Sequence, residues 1–146
     1  MGPWQKSENW LRQLTLQKPY LIKFPKIGTE DKGYLVPFEH LPFPIAHVYC
    51  IGPVPENESR GNHAKKNSAQ VIVPIGGTAI VRLESPEGEV YEFKLISNDE
   101  GLFIPPGYWR SAQLSQNCYL IGLHSMKFSE DDYVRDYEQF KTLNHR

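Results

Sequence analysis

The chain has 146 residues and a mass of 16.8 kDa, a length that suits one domain. Hydrophobic residues make up 40% and charged residues 23%, which excludes wholesale disorder. The formal net charge is −1, with no long basic run and no apolar stretch approaching about 20 residues. We therefore expect neither sequence-independent nucleic-acid binding nor a membrane span.

The first 19 residues form an N-terminal extension. Met1–Trp10 is too polar to contain the apolar segment of a signal peptide. A short helix is predicted around Ser7–Gln13, with Ser7 as its cap. The two cysteines, Cys50 and Cys118, cannot make a disulfide scaffold. We expect a cytoplasmic protein with reduced thiols, in which both cysteines are small buried hydrophobes.

Short apolar or alternating runs follow one another from Tyr20 onward. Val, Ile, Tyr and Phe dominate these runs, as half-buried strands prefer. Several short strands at close spacing predict an all-β sandwich or barrel. The predicted strands are Tyr20–Phe24, Gly33–Phe38, Ile45–Ile51, Ala69–Ile75, Thr78–Glu84, Val90–Ile96, Gly101–Ile104 and Cys118–His124.

Glycine and proline mark the turns between the runs. Gly76-Gly77 separates two apolar runs and predicts a two-residue hairpin turn, because glycine accepts positive φ at both central positions. The segment Ser85–Gly88 has proline second and glycine fourth, which favours a type I turn. Pro74 indicates an edge position or a strand end within its run.

The tail has a helical pattern. Ser129–Asp132 has the shape of a capping box, which predicts a C-terminal helix over residues 129–143. Tyr133, Tyr137 and Phe140 then lie on one face, so we expect this helix to pack its aromatic side chains on the barrel. No repeat or linker divides the chain, so residues 1–146 are predicted to form a single domain.

Two segments resemble the signature stretches of the cupin superfamily. They are Arg60–Lys66 and Gly101–Arg110. A metal-binding cupin has His-x-His with a nearby Glu, then a distant Pro-x-Gly-x-x-His. His63 stands at the first histidine position, but Lys65 and Arg110 stand at two others. Because both are cationic and repel a divalent ion, the resemblance implies a cupin jelly-roll barrel without a metal.

A narrower resemblance covers roughly residues 30–141. In this stretch the chain is similar to the metal-free cupins that act as nucleotide-sugar 3,4-ketoisomerases. The matching residues keep their order and spacing: Val48-Tyr49, Arg60-Gly-x-His63-Ala64, Gln70-Val71, Gly101–Ile104 with Trp109, and Asp132–Tyr137.

The resemblance implies an isomerase that needs no cofactor. Members of the family convert dTDP-4-keto-6-deoxyglucose into its 3-keto isomer, for unusual sugars of bacterial surface glycans such as lipopolysaccharide. The expected small-molecule partner is therefore a nucleotide sugar. Family members are usually homodimers that exchange strands, which implies a homodimer here, with residues 15–38 as the contributors.

The chemistry needs a base, a proton donor and a group that stabilises an oxyanion, because a proton must leave C3 and another must reach C4. The resemblance implies His63, Lys65 and Tyr49 as catalytic residues. Lys65 stands at the position of the family's second histidine, and Cys50 at that of a tyrosine. The implied substrate-binding residues are Arg60, Gln70 and Arg110.

Elementary chemistry limits what these residues can do. Lys65 shares strand parity with His63, so it is a better pocket residue than Lys66. Lys65 could act as a base only if its pKa were lowered by several units. Arg110 cannot accept a proton, but it could bind phosphate or stabilise an enediolate. We expect Trp109 to lie in the core or an interface. The histidines without motif support are treated as structural or solvated: His40, His47, His124 and His145.

Two other functions remain open at this point. The chain could be a non-catalytic cupin that binds a nucleotide sugar or a related ligand. It could also be a structural interaction module, which would have no polar pocket. A bound nucleotide would exclude the module, and hydrogen exchange into the sugar would separate enzyme from binder.

Overall fold

The computed structural model describes residues 14, 15, 17–56 and 58–143. In this part of the chain, twelve strands precede a short α-helix near the C-terminus. The elements are β1 (Tyr20–Lys23), β2 (Ile27–Thr29), β3 (Gly33–Leu35), β4 (His47–Ile51), β5 (Ser59–Lys65), β6 (Gln70–Ile75), β7 (Ala79–Glu84), β8 (Val90–Leu95), β9 (Glu100–Ile104), β10 (Trp109–Leu114), β11 (Tyr119–His124), a 3-10 turn (Glu130–Asp132), β12 (Tyr133–Val134) and α1 (Tyr137–Thr142).

Two five-stranded antiparallel sheets form the body of the protein. The first has the strand order β1-β9-β6-β11-β4, the second has β12-β5-β10-β7-β8, and β2 pairs with β3 in a separate hairpin. Apolar side chains of the two sheets meet in a common core, as facing sheets require. This confirms the predicted all-β jelly-roll barrel. The core includes Ile72, Val81, Leu83, Leu95, Leu102, Ile104 and Leu120.

Strand β6 is buried on both faces. Gln70 and Ile72 point into the barrel, whereas Val71 and Val73 belong to a second apolar cluster on the outside of the first sheet. The chain that precedes β4 covers this outer face with Leu14, Phe24, Leu41 and Phe43. One sheet is thereby fixed from both sides, and it holds the polar side chains at its inner face in place.

The predicted turns differ in outcome. The Ser85–Gly88 turn is confirmed: β7 and β8 pair across it, and the Gly88 N–H donates to the Ser85 carbonyl at 3.0 Å. The hairpin predicted at Gly76-Gly77 is wrong. The strands on either side, β6 and β7, belong to different sheets, because each finds its partners further along the chain. Pro74 lies near the end of β6, beyond the Gln70–Ile72 stretch that pairs with β9, which agrees with the predicted strand end.

The C-terminal helix is shorter than predicted. It begins after its N-cap Asp136, whose side chain accepts from the Glu138 N–H at 2.9 Å, and not at Ser129. Tyr133–Val134 pairs as a strand with Ala64–Lys65 of β5, and this pairing overrides the helical pattern. Tyr133 is therefore in the sheet and not on the helix.

The rest of the tail packs as predicted. Tyr137 and Phe140 lie against the Trp109 ring, with centroid distances of 5.3 and 5.5 Å. Trp109 is buried among these rings, as expected for a core residue. The helix predicted at Ser7–Gln13 lies outside the described residues. No helix in the described ranges is long and apolar enough to cross a membrane.

Candidate active site

A polar cavity of about 470 Å³ opens at one end of the barrel, between the two sheets. Strands β4, β5, β10 and β12 supply most of its walls. Asp and Glu are absent from the described residues that line it. Its charged and aromatic groups include Tyr49, Arg60, His63, Lys65, Arg110 and Tyr133.

A β-bulge in β5 aims two side chains into this cavity. Arg110 pairs with His63 and the next residue of β10 pairs with Gly61, so Asn62 is the extra residue. Gly61 has a φ of +97°, and a Cβ there would lie 2.8 Å from the Arg110 carbonyl oxygen. The bulge brings His63 and Lys65 to the interior and leaves Lys66 exposed, which confirms the predicted facing of the two lysines.

Within the described part of the chain, His63 presents one unpartnered ring nitrogen at the cavity. Its Nδ1–H donates to the Gly61 carbonyl at 3.1 Å, which leaves the lone pair of the neutral ring on Nε2. Nε2 is shielded from solvent and has no hydrogen-bond partner among the described residues. Burial, reinforced by the nearby Arg110 charge, lowers the pKa of His63 to about 4. The imidazole is therefore neutral at pH 7 and able to accept a proton.

Lys65 is a buried amine with an unusual partner. It is 5% exposed, and its Nζ lies 2.7 Å from Nδ1 of His124. The same nitrogen lies 5.6 Å from the Tyr49 ring centroid and 5.0 Å from that of Tyr133. Burial and the Arg110 charge lower the pKa of Lys65 to about 7, against an opposing effect of Asp132. Near neutral pH the amine can therefore either donate or accept a proton.

Arg110 places a fixed positive charge at the inner end of the cavity. It is 1% exposed, and its Nη1 donates to Gln70 Oε1 at 2.8 Å and to the Tyr49 hydroxyl at 3.1 Å. Its Nε has no hydrogen-bond partner among the described residues. A buried guanidinium bound to neutral groups is poorly compensated, so an anionic group of a ligand would be stabilised beside it.

Tyr49 reaches this site because the neighbouring strand has a glycine. Gly122 of β11 pairs with Tyr49, and a Cβ on Gly122 would lie 2.1 Å from the Tyr49 ring. The missing side chain gives the tyrosine ring room to lie across β11. Cys50, the next residue of β4, is exposed on the opposite face of the strand, so the prediction that it is buried is wrong. Cys118 is buried, as predicted.

The other two predicted substrate-binding residues lie at different depths. Arg60 is exposed and lines the mouth of the cavity. Gln70 is 4% exposed and does not belong to the cavity lining, because it stands behind Arg110 and Tyr49 and accepts a hydrogen bond from each, at 2.8 and 3.5 Å. Gln70 therefore contacts Arg110 and Tyr49 but does not line the open cavity.

Sequence reasoning missed several residues of the site. His124 is fully buried, so of the two expected roles, structural or solvated, the solvated one is wrong; the ring lies beside Lys65, and the His47 ring stacks on it at 4.5 Å. A polar residue at the end of an otherwise apolar run was the available signal for His124. For His47 the signal was its parity with Tyr49. Tyr133 falls within the helix predicted over residues 129–143, whereas its ring centroid lies 4.8 Å from that of His63. His40 is solvated as expected, and His145 lies outside the described residues.

The double-sheet barrel with a polar cavity between its sheets defines a cupin. The described residues contain no cluster of three or more His, Cys, Asp or Glu side chains that could hold a metal ion. The family model described as "FdtA: WxcM-like, C-terminal" matches residues 17–145. The chain therefore belongs to this family of cupins.

Known relatives agree with this membership. The chain is 36% identical over 126 residues to the TDP-4-oxo-6-deoxy-α-D-glucose-3,4-oxoisomerase of Aneurinibacillus thermoaerophilus, covering 83% of this chain and 88% of the relative. The sugar 3,4-ketoisomerase QdtA of Thermoanaerobacterium thermosaccharolyticum, solved in complex with TDP, is 34% identical with a TM-score of 0.80, over 87% of this chain and 94% of its own. A 3,4-ketoisomerase from Helicobacter canadensis is 26% identical with a TM-score of 0.82, over 88% and 98%.

Proposed function

We propose that the protein is an isomerase of deoxysugar biosynthesis that converts a TDP-linked 4-keto-6-deoxy sugar into its 3-keto isomer. The relatives named above are 3,4-ketoisomerases, and QdtA was solved with TDP. One observation carries the proposal for this chain: a neutral histidine, a lysine whose pKa lies near 7 and a buried arginine meet in one cavity. These are the base, the proton donor and the oxyanion partner that the reaction needs.

The proton transfers can be written for these residues. His63 Nε2 takes the proton from C3, and the electrons of that bond form a C3–C4 double bond with the negative charge on O4. Arg110 stabilises this enediolate. The Lys65 ammonium gives a proton to C4, while the Tyr49 hydroxyl passes the O3 proton to O4. The product has a C3 ketone and a C4 hydroxyl, and exchange with solvent resets His63 and Lys65.

The lining of the cavity suits an anionic nucleotide. Arg60 stands at the mouth and Arg110 inside, and the described lining residues have no carboxylate to repel a diphosphate. We assign Arg60 to the diphosphate and Arg110 to the sugar oxygens. Gln70 contributes by fixing Arg110 and Tyr49 through its Oε1.

The proposed chemistry uses neither a metal nor an organic cofactor. Lys65 and Arg110 occupy two positions at which a metal-binding cupin has histidines, and their charges disfavour a divalent cation. We expect turnover to be unchanged by EDTA. A loss of turnover that added metal restores would contradict this part of the proposal.

A homodimer is part of the proposal. β1 is an edge strand of the first sheet, and edge strands invite pairing with another chain. Exposed apolar side chains cluster on β1 and on the β2–β3 hairpin, as a surface that is covered in a dimer would have. They are Tyr20, Leu21, Ile27, Tyr34 and Leu35. The free thiols of Cys50 and Cys118 agree with a proposed location in the cytoplasm.

The test of the proposed function is product formation from TDP-4-keto-6-deoxyglucose, followed by NMR of the sugar. The wild-type protein should form the 3-keto isomer. Lys65→Met should lower kcat by about 10²–10⁴-fold, because it removes a proton-transfer group. Lys66→Met, one residue along on the exposed face, is the matched control and should retain activity. Tight binding of TDP without turnover would instead support the non-catalytic binder.

A further inference from the structure

Lys65 and His124 join the two sheets inside the barrel. Lys65 belongs to β5 of the second sheet, and His124 ends β11 of the first. The Lys65 Nζ lies 2.7 Å from His124 Nδ1 and 3.3 Å from Nε2. His124 is fully buried and Lys65 is 5% exposed, so water does not compete freely for this contact.

Neighbouring groups fix the orientation of the His124 ring. The His47 ring stacks on it with a centroid distance of 4.5 Å and an interplanar angle of 18°, and the Tyr49 ring lies at 4.6 Å. His47 is itself anchored, since its Nδ1 lies 2.5 Å from the Met126 carbonyl oxygen. The imidazole is therefore a rigid partner, whereas the lysine has a long flexible side chain.

A purely structural role explains this pair poorly. A lysine that serves only the fold extends its amine to water or pairs with a carboxylate, because an uncompensated buried charge is costly. Lys65 is only 5% exposed and its amine contacts a neutral imidazole in place of a carboxylate, and the nearby fixed charge of Arg110 is of the same sign. Replacing a buried charged pair by an apolar pair of similar volume is often neutral or stabilising, so stability alone does not explain the choice of a lysine here. The arrangement is expected where a reactive amine must be held in one place.

We infer that His124 is a positioning residue, which holds the Lys65 amine against the cavity and orients it for proton transfer to the sugar. The inference rests on the proposed function and adds to it a residue that does not touch the substrate. When Lys65 is an ammonium, its N–H groups contact the His124 ring, in which Nδ1 is the nearer nitrogen. This contact fixes the amine at the wall of the cavity that Lys65 lines.

The same contact affects the titration of Lys65, because an acceptor stabilises the ammonium. Burial lowers the pKa of His124 to about 2, so the ring stays a neutral acceptor across the working pH range. Removal of this acceptor should lower the pKa of Lys65 further. The titratable and charged groups that face Lys65 are Tyr49 and His47 on β4, His63 on β5, Arg110 on β10, His124 on β11, and Asp132, Tyr133 and Arg135 near β12.

Two substitutions distinguish positioning from packing. His124→Leu fills the site but provides no acceptor. His124→Asn is smaller, but its amide can place an oxygen near the position of Nδ1. We expect His124→Leu to lower kcat by about 10–100-fold with KM changed less than about threefold, as a displaced catalytic group does. His124→Asn should recover most of this loss, although it packs less well.

A second readout does not need turnover. Competitive amine labelling of Lys65 across a pH series, followed by mass spectrometry, reports the pKa of its amine. We expect a lower pKa in His124→Leu and a value near wild type in His124→Asn. Unchanged kcat and unchanged labelling in both variants would overturn the inference. Equal losses of kcat with unchanged labelling would also overturn it, since they would indicate a packing role.

Failure of the proposed function would look different. If the wild-type protein binds TDP but does not isomerise the keto sugar, the enzyme assignment fails. The labelling experiment still decides whether His124 sets the titration of Lys65. A lowered pKa in His124→Leu alone would then support the pairing in a binding protein, and would contradict its role in catalysis.

Discussion

At the scale of single residues, three basic side chains in the cavity differ in their protonation state near pH 7. His63 is neutral near pH 7 because its pKa is lowered to about 4, whereas Lys65 has its pKa lowered to about 7. Arg110 stays charged throughout. Burial is the largest cause of both shifts, so the enclosure of the cavity itself creates a base and an acid from ordinary side chains.

This separation predicts the pH dependence of kcat/KM, which reports the groups of the free enzyme. His63 must be neutral to accept the C3 proton, so activity should fall as the pH drops through about 4. Lys65 must be protonated to donate, so activity should fall as the pH rises through about 7. Initial rates from pH 3.5 to 9, each buffer range checked for protein stability, measure this profile.

The opposite profile would contradict the assigned roles. A kcat/KM that rises through pH 7 to a plateau would show that Lys65 must be deprotonated, and would make Lys65 the base. Lys65→Arg is the control, because it keeps the charge but cannot give up a proton in this range. Its activity should be low at every pH.

Gly122 leaves the space that the Tyr49 ring occupies. A methyl group on Gly122 would displace the Tyr49 ring, and Arg110 would then lose one of its two hydrogen-bond acceptors. We expect Gly122→Ala to lower kcat by about 10–100-fold, as small displacements of site residues do. Steady-state kinetics measure the effect. Gln113→Ala, an exposed change on β10, is the control, and equal activity of both variants would contradict the role of Gly122.

The site residues that belong to a local sequence motif could be predicted. Those that come close to the site only through the strand topology could not. His63, Lys65 and Arg110 could be found because their spacing matches a cupin signature. His124 lies 59 positions from Lys65 and in another sheet, so no local pattern joins the two. Burial decides the pKa values, and burial depends on the packed barrel.

At the scale of elements, the strands with apolar alternation were predicted, including β4 beside the site. The other strands that line the site, β5, β10 and β12, were not. The eight predicted runs each overlap an observed strand. Seven of these strands pack at least one side chain in an apolar core, whereas β3 is exposed throughout. The inward face of β5 carries polar residues, and a bulge at Asn62 breaks its period of two. β12 is two residues long and exists through its pairing with β5. A helical pattern was therefore the stronger local signal there.

The Asp132 side chain holds the 3-10 turn before β12 against the loop that follows β5. Its carboxylate accepts from the Asn67 N–H and from the Ser68 hydroxyl, both at 2.7 Å, and its side chain is buried. Asp132→Ala leaves both donors without this partner, which should cost about 1–3 kcal/mol of unfolding free energy. Urea denaturation measures the loss. The exposed neighbour in Asp131→Ala should change stability by less than about 0.5 kcal/mol, and equal effects would contradict the account.

At the scale of the whole molecule, the exposed apolar surface on β1 and the β2–β3 hairpin predicts a homodimer. Light scattering at micromolar concentration should give about twice the chain mass of 16.8 kDa. Ile27→Lys and Leu35→Lys place charges on this surface and should shift the protein toward the monomer. Lys94→Glu, on β8 at the edge of the other sheet, is the control. A monomeric wild-type protein would contradict the prediction.

Solvent-deuterium incorporation shows whether acid–base isomerisation takes place in this cavity. The wild-type protein is incubated with TDP-4-keto-6-deoxyglucose in D₂O, and the sugar is followed by NMR. Because the Lys65 protons exchange with solvent, the 3-keto product should carry deuterium at C4. His63→Asn keeps a donor for the Gly61 carbonyl but lacks the Nε2 base, and should slow incorporation at least about 100-fold. A product with protium at C4, or an equal rate in His63→Asn, would contradict the account.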